Sequence, residues 1–377
     1  MNLPISKTSS FLYRFVVKPI LFQISPDKIH ADVIRFGSKV QKSRFLRWLV
    51  RSSWAYSNRS LEQDILGINF KNPVGLSAGF DKNVELAPTM KSVGFGFMEG
   101  GTITFQASKG NKRPWYHRLP KTKSLVVHAG LPSQGTKIIM KRVSSYPKDT
   151  FASFPLNISV AQSNVNGVDT VEKAVGDYLK GLKDIIASPK VSMITLNISC
   201  PNTYDGEPFS NPKSLEKLLT KIDGVKTNLP IFLKMPNHLA WKEFDALLQV
   251  ASCHRVSGLI ISNLVKWSDV KLKDVLSKDI RGGYSGKPTF ELSNDLIFRT
   301  RKKYKDSFVI VGVGGIFSAD DAYTKIKLGA NLVELITGVI FEGPQLIGQI
   351  NRGLMKRLRR DGFTSIDQAV GSEISVK

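Results

Sequence analysis

Cysteine is nearly absent from this chain: its 377 residues hold two, Cys200 and Cys253. Two isolated thiols give no disulfide framework, which points to a reducing compartment. They also exclude a cysteine-ligated iron–sulfur cluster, so no electron relay of that kind is expected within the chain. No run of about 18 apolar residues occurs, which argues against a spanning helix. The first residues lack an uninterrupted apolar stretch followed by a small-residue cleavage site, so no secretory signal is expected. Acidic residues are scarce too, 31 Asp and Glu against 54 Lys and Arg, leaving a net charge of +23. So basic a surface attracts anionic lipid and nucleic acid alike. Nucleic-acid binding has no motif behind it beyond that charge.

The charge is unevenly placed. Residues 1–60 carry eleven Lys and Arg against two Asp, a net of nine positive charges, and a second cluster, Lys356-Arg357-Leu358-Arg359-Arg360, lies near the C-terminus. The first sixty residues read as amphipathic helices. Phe11, Phe15, Val16, Ile20 and Leu21 share an apolar face with Arg14 and Lys18 among them, and Pro19 is expected to kink or interrupt it. Ser25-Pro26-Asp27 supplies a second start, with Ser25 as N-cap and Pro26 at the first helical position. Ile29, Val33, Ile34 and Phe36, then Phe45, Leu46, Trp48, Leu49, Val50 and Trp54, continue the apolar faces amid arginines. Aromatic, basic, amphipathic helices suit the plane of a membrane interface. Residues 1–60 are therefore expected to form a head that associates with an anionic membrane surface; packing onto the main domain is the alternative.

From residue 70 the rhythm changes. Short apolar runs occupy 72–79, 95–103, 153–160, 193–199, 230–235, 258–263, 308–315 and 332–338, many ending in Gly, Asn or Lys. Helical periodicity fills 170–187, 213–227, 241–253, 289–304 and 319–328. Eight strand-like runs alternating with helices predict an α/β fold, a (β/α)8 TIM barrel over residues 61–360, with 361–377 as a C-terminal tail. A doubly wound open sheet would want its Gly-rich turn after the first strand, whereas the glycine pairs here come late. Residues 104–150 are poor in periodicity and read as an excursion over the barrel mouth, with a hairpin or lid.

Barrel chemistry lies at the C-terminal ends of the strands. Asn197-Ile198-Ser199-Cys200-Pro201-Asn202 follows the apolar run at 193–196 and so places a thiol between amides at that mouth. Val313-Gly314-Gly315-Ile316 and Ile336-Thr337-Gly338 end the seventh and eighth runs, where barrels commonly bind phosphate through backbone N–H groups and a helix start. Gly283-Tyr284-Ser285-Gly286 offers another close backbone approach. Lys82 and Lys234 also sit at strand ends, where a cation can neutralise charge on a reduced cofactor or a carboxylate. Asn157, Asn197, Asn202 and Asn263 add amides that suit a ring bearing carbonyl and N–H groups, although a single Asn is more often a turn residue.

On these residues the sequence resembles the dihydroorotate dehydrogenase family from about residue 11 to 353. The matching motifs are Lys71-Asn72-Pro73-Val74-Gly75-Leu76, Ala78-Gly79-Phe80-Asp81-Lys82, Asn197 to Thr203, Gly282 to Pro288, and Val313-Gly314-Gly315-Ile316. The resemblance implies an FMN enzyme of pyrimidine synthesis that oxidises dihydroorotate to orotate. The N-terminal piece resembles the membrane-associated class 2 enzymes, which pass electrons to a membrane quinone without an iron–sulfur subunit and sit peripherally on the cytoplasmic face of the inner membrane. By that resemblance Gln23, His30 and Arg118 lie near the quinone. Ala78, Gly79, Thr102, Asn157, Asn197, Lys234, Ser262, Gly286, Gly315, Ile336 and Thr337 contact FMN. Lys82, Asn197, Asn202 and Asn263 hold the substrate, and Cys200 takes the place of the catalytic base.

Three positions depart from the family pattern. Class 2 enzymes usually carry serine where Cys200 stands, and a free thiol titrates nearer working pH than any hydroxyl, at about 8.5. Val127 stands where the family has an orotate-binding asparagine. An amide lost there leaves a substrate polar group unpaired at about 1–3 kcal/mol, unless His128 compensates or the ring is a different dihydropyrimidine. Ile158-Ser159-Val160-Ala161-Gln162 replaces a stretch containing Gly-Lys.

Overall fold

The computed structural model describes residues 3–203, 206–266, 271–275 and 279–374, with side chains from residue 6 onward. Four helices come first: α1 (Leu3–Leu12), α2 (Lys18–Phe22), α3 (Pro26–Val40) and α4 (Arg44–Trp54). A π-helical turn, Tyr13–Val17, joins α1 to α2, and the backbone stays right-handed helical through Leu12, Val17 and Lys18. The α-helical ladder is thus interrupted just before Pro19, as expected, although the backbone stays helical. The wider turn ends at Val17, and Pro19 takes the second position of α2. Ser25 does precede α3 with Pro26 at its first position, but its side chain caps nothing. The carboxylate of buried Asp27 instead accepts the backbone N–H of Trp115 at 3.2 Å, tying α3 to the barrel mouth.

A hairpin, β1 (Gln63–Ile65) and β2 (Ile68–Phe70), closes the lower end of the barrel. Phe70 meets Phe97 edge to face at 5.3 Å between ring centroids, inside a plug that includes Met193, Phe232, Ile260, Val311 and Leu332. Gly75 has to lack a side chain here, since a Cβ would lie 2.3 Å from the Phe97 ring.

The barrel is closed by β3 (Val74–Leu76), β4 (Phe97–Thr104), β7 (Leu156–Ala161), β8 (Met193–Asn197), β9 (Ile231–Lys234), β10 (Gly258–Ile261), β12 (Val309–Val313) and β13 (Leu332–Leu335), all parallel. These are the eight apolar runs of the sequence. Most are buried on both faces, as a barrel wall sandwiched between core and helices requires. The outer helices are α5 (Ala87–Val93), α6 (Thr136–Ser145), α7 (Val171–Ile186), α8 (Pro212–Asp223), α9 (Trp241–Ser252), α10 (Phe290–Tyr304) and α11 (Ala319–Lys327), followed by α12 (Thr337–Glu342) and α13 (Leu346–Arg360). Local chemistry sets several starts. Thr170 accepts from Lys173 N, Asn211 from Lys213 N and Ser214 N, and Ser318 from Asp321 N; such caps contribute about 1 kcal/mol each.

The 104–150 excursion contains the expected hairpin, β5 (Tyr116–Leu119) with β6 (Ser124–Val127), and β11 (Gly283–Tyr284) pairs onto it to make a small sheet. It also contains α6, which the sequence reading missed, although buried Ile139, Met140 and Val143 carry a helical spacing. Past residue 360 the chain packs down: Ile366 and Ala369 are fully buried, and Glu373 N donates to Lys327 O. Residues 375–377 of the expected tail and residues 1–2 of the expected head lie outside the described residues.

Candidate active site

A single cavity of about 790 Å³ runs from the barrel mouth to the space beneath the N-terminal helices. Its barrel end is lined by Ala78, Gly79, Thr102, Lys234, Ser262, Gly286, Gly315, Ile336 and Thr337, together with Lys82, Asn197, Cys200, Asn202 and Asn263. Its outer end is lined by His30 and Arg118. Two expected residues do not reach it. Asn157 is buried inside the barrel, donating to Thr195 Oγ1 at 2.8 Å, and Gln23 is exposed after α2. Tyr13 and Tyr116 line the cavity although the sequence reading named neither for it.

The polar groups at the mouth are held in one network. Asn197 Nδ2 donates to Thr102 Oγ1 at 2.9 Å, and Asn263 Nδ2 donates to Ser199 O at 2.7 Å and Asn197 Oδ1 at 3.3 Å. Ser199 Oγ in turn donates to Lys234 O at 2.7 Å, so β8, β9 and the Asn263 loop are locked together. Asn202 Nδ2 donates to Val127 O at 3.0 Å, and His128 Nδ1 lies 3.4 Å from Asn202 Oδ1. Val127 thus supplies a backbone anchor for the neighbouring amide, and His128 braces that amide. Lys82 Nζ donates to Gly79 O at 2.6 Å and to the Tyr116 hydroxyl.

Burial decides the protonation states. The Cys200 thiol is pushed up to about 11, chiefly by desolvation, with Lys234 and the Asn202 N–H pulling the other way. Against the expectation of a thiol titrating close to working pH, the protein packed around the half-buried Cys200 disfavours the thiolate. His30 is brought down to about 4 by burial and by the nearby Lys82 ammonium, and its Nε2 meets Phe80 O at 2.7 Å. It is a neutral ring at physiological pH. Arg118 lies over the Phe22 ring at 4.7 Å and donates to Ile24 O at 2.7 Å, and burial lowers its pKa. Tyr13 donates to Ile340 O at 2.6 Å, and Arg14 pairs with Glu342 at 2.6 Å, fastening the head to α12.

A family model described as dihydroorotate dehydrogenase matches residues 60–358. The chain belongs to the dihydroorotate dehydrogenase family. A protein of Nostoc punctiforme named dihydroorotate dehydrogenase (quinone) is 32% identical over 381 aligned residues, covering 97% of this chain and 99% of its own. A protein of Brucella anthropi with the same name is 34% identical over 320 residues, covering 83% and 85%. The crystal structure of DHODH in complex with ferulenol from Eimeria tenella has the same fold, with a TM-score of 0.80 at 24% identity, over 93% of this chain and 96% of that one. The Nostoc relative therefore matches the head as well as the barrel of this dihydroorotate dehydrogenase family member.

The site suits a phosphate-bearing flavin. Gly314 and Gly315 adopt left-handed φ values of 111° and 70°, and a Cβ on Gly314 would meet Thr289 Oγ1 at 2.4 Å. Only glycine lets the backbone make this turn beside the start of α12, whose first N–H groups have no intrahelical partners. Ser262 Oγ is buried without a hydrogen-bond partner among the described residues, and a ligand with ring heteroatoms would satisfy it.

Proposed function

We propose that this protein oxidises dihydroorotate to orotate on bound FMN and passes the electrons to a membrane quinone. The observation that carries the reading is the single cavity joining Cys200, Lys82 and the asparagines at one end to His30 and Arg118 at the other. When bound, FMN takes two electrons from the substrate ring and yields them to the quinone. Gly286, Gly315, Thr337 and the start of α12 would hold its phosphate, and Thr102, Asn197, Lys234 and Ser262 its ring. Asn197, Asn202 and Asn263 present donors and acceptors to the substrate ring, and the Lys82 ammonium holds its carboxylate. Cys200 takes the C5 proton. With the free thiol at about 11, this step speeds up as pH rises toward that value.

The quinone would enter beneath the N-terminal helices. Phe11, Phe15, Phe36, Phe45 and Trp48 are exposed there among arginines and lysines. That pattern supports peripheral attachment to an anionic membrane; the cytoplasmic face and a reaction without an iron–sulfur subunit rest on the resemblance to class 2 enzymes alone. No helix among the described residues is long and apolar enough to cross a membrane. The alternative substrate, another dihydropyrimidine-like ring, rests on Val127 alone; Lys82 and all three asparagines still line the cavity. Anaerobic addition of dihydroorotate to the purified yellow protein tests the reading. Rapid loss of oxidised-flavin absorbance, reversed by a soluble quinone, is the expected result, and a bound flavin that stays oxidised would overturn dihydroorotate as substrate.

A further inference from the structure

Inside the barrel, against the floor of the cavity, three ionisable side chains meet: Glu99 of β4, Lys234 of β9 and Glu334 of β13. The two glutamates are fully buried and Lys234 nearly so. Lys234 Nζ donates to Glu99 Oε2 at 2.9 Å, and the backbone N–H of Ala78 donates to the same oxygen at 2.9 Å. One oxygen of Glu99 thus fixes both an ammonium and a backbone turn that line the cavity. The other, Glu99 Oε1, has no hydrogen-bond partner among the described residues, and neither has either oxygen of Glu334. Glu334 nevertheless lies directly against Glu99 and Ser77.

Two carboxylates and one ammonium do not balance in a place without water. Fully ionised, the trio would bury an unpaired negative charge and set two acceptor-only groups against each other, which proteins avoid by retaining a proton. A proton on Glu334 turns one of its oxygens into a donor. Its O–H then meets Glu99 Oε1, and two of the three unpartnered carboxyl oxygens are satisfied together. The charges close at one carboxylate and one ammonium.

We propose that Glu334 is a protonated carboxylic acid that donates to Glu99, and that it is a positioning residue: it orients Glu99, and through Glu99 the Lys234 ammonium and the Ala78 backbone, toward the flavin. This rests on the FMN reading for its consequence, not for its chemistry. Burial and the neighbouring Glu99 both favour the neutral form of Glu334, and Lys234 and the Ser77 hydroxyl only partly oppose them. The glutamates also separate structural from electrostatic roles. A glutamine at 334 keeps the shape, the neutrality and an N–H donor for Glu99 Oε1; a glutamine at 99 removes the counter-charge of Lys234.

The experiment has two arms. Infrared spectra of the full-length protein, with and without deuterium exchange, read the carboxylic C=O stretch directly and need no flavin. The expected result is an exchange-sensitive band that E334Q removes; a band unaltered by E334Q, or no band at neutral pH, overturns the proposal. The second arm measures the reduction potential of the bound flavin. Because the glutamine replaces a group that is already neutral, E334Q should leave the potential unchanged, whereas E99Q should raise it. A potential that rises in E334Q would mean that a negative charge had been removed, and the assignment of the proton would be wrong. Glu334→Leu, which strands Glu99 Oε1, should weaken FMN binding about tenfold relative to E334Q. A colourless protein that retains the infrared band would overturn the FMN reading and leave the shared proton standing.

Discussion

The barrel and the N-terminal head use the same residue types in opposite ways. Phe97, Phe232 and Phe244 of the barrel are at most 1% exposed, whereas Phe11, Phe15, Phe36, Phe45 and Trp48 of the head are each at least 61% exposed. Charges reverse as well. Lys234, Glu99, Glu334 and Lys325 are buried in the barrel, while the head keeps most of its arginines and lysines at the surface. A barrel that buries its aromatics holds itself together, because each fully buried large side chain is worth about 1.5–3 kcal/mol. Exposed aromatics contribute little of that kind, so the head is shaped for contact with something outside the chain. Its attachment combines polar ties, Tyr13 to Ile340, Arg14 to Glu342, Asp27 to Trp115 and Thr89 to Gly37, with apolar packing of Ile34, Val40, Val50 and Trp54 on the barrel side.

The largest effect should come from the barrel's chemistry. Cys200→Ala removes the proposed base, and substrate-driven flavin reduction should fall by about a hundredfold or more while the flavin stays bound; stopped-flow absorbance checks both. Full turnover by that variant would end the assignment.

The next probes charge burial. Lys325, with Nζ 2.6 Å from Ser293 Oγ and 2.8 Å from Asn294 Oδ1, is brought down by burial from 10.5 to about 7. Between those values the unfolded chain binds more protons than the folded one, so stability rises with pH across that window. The cost of burying the ammonium is fully present below about 7. Lys325→Met should flatten this slope, on the order of 1 kcal/mol per pH unit, as urea midpoints at two pH values would read.

Arg118→Ala tests whether the two ends of the cavity are separate. The apparent KM for quinone should rise about tenfold, the loss of a charge-assisted contact of about 1.5 kcal/mol, with anaerobic reduction by dihydroorotate unaltered. Equal damage to both half-reactions would show that the head and the barrel are not independent. The smallest effect belongs to the surface: Trp48→Ser should weaken binding to anionic vesicles several-fold, about 1 kcal/mol of lost burial, and change the melting temperature little. A large fall in stability instead would mean that Trp48 packs within the protein.

Much of this was legible in the chain. The barrel strands are buried on both faces, so their residues are continuously apolar and end in the Gly, Asn and Lys that the mouth uses; such runs need no knowledge of the partner strand. Helix α6 was missed because its ten residues sit among turns and carry only three buried apolar side chains, Ile139, Met140 and Val143. Asn157 and Gln23 show the limit for single sites. Both matched family positions, but Asn157 turns toward Thr195 inside the barrel and Gln23 falls past the end of α2. Tyr13 carried no signal, since its part depends on a contact 327 positions away.

The sequence by itself determined the alternation of strand and helix, the late glycine turn at 314–315 and the basic, aromatic face of the head, because these depend on neighbours along the chain. Tertiary structure alone decided the states of the charged groups. Closing the barrel sets Glu334 beside Glu99, folding the loop after β8 raises Cys200, and packing α3 against the Lys82 loop lowers His30. A side chain's pKa depends on the solvent and charge around it, and both are set only when the fold is complete.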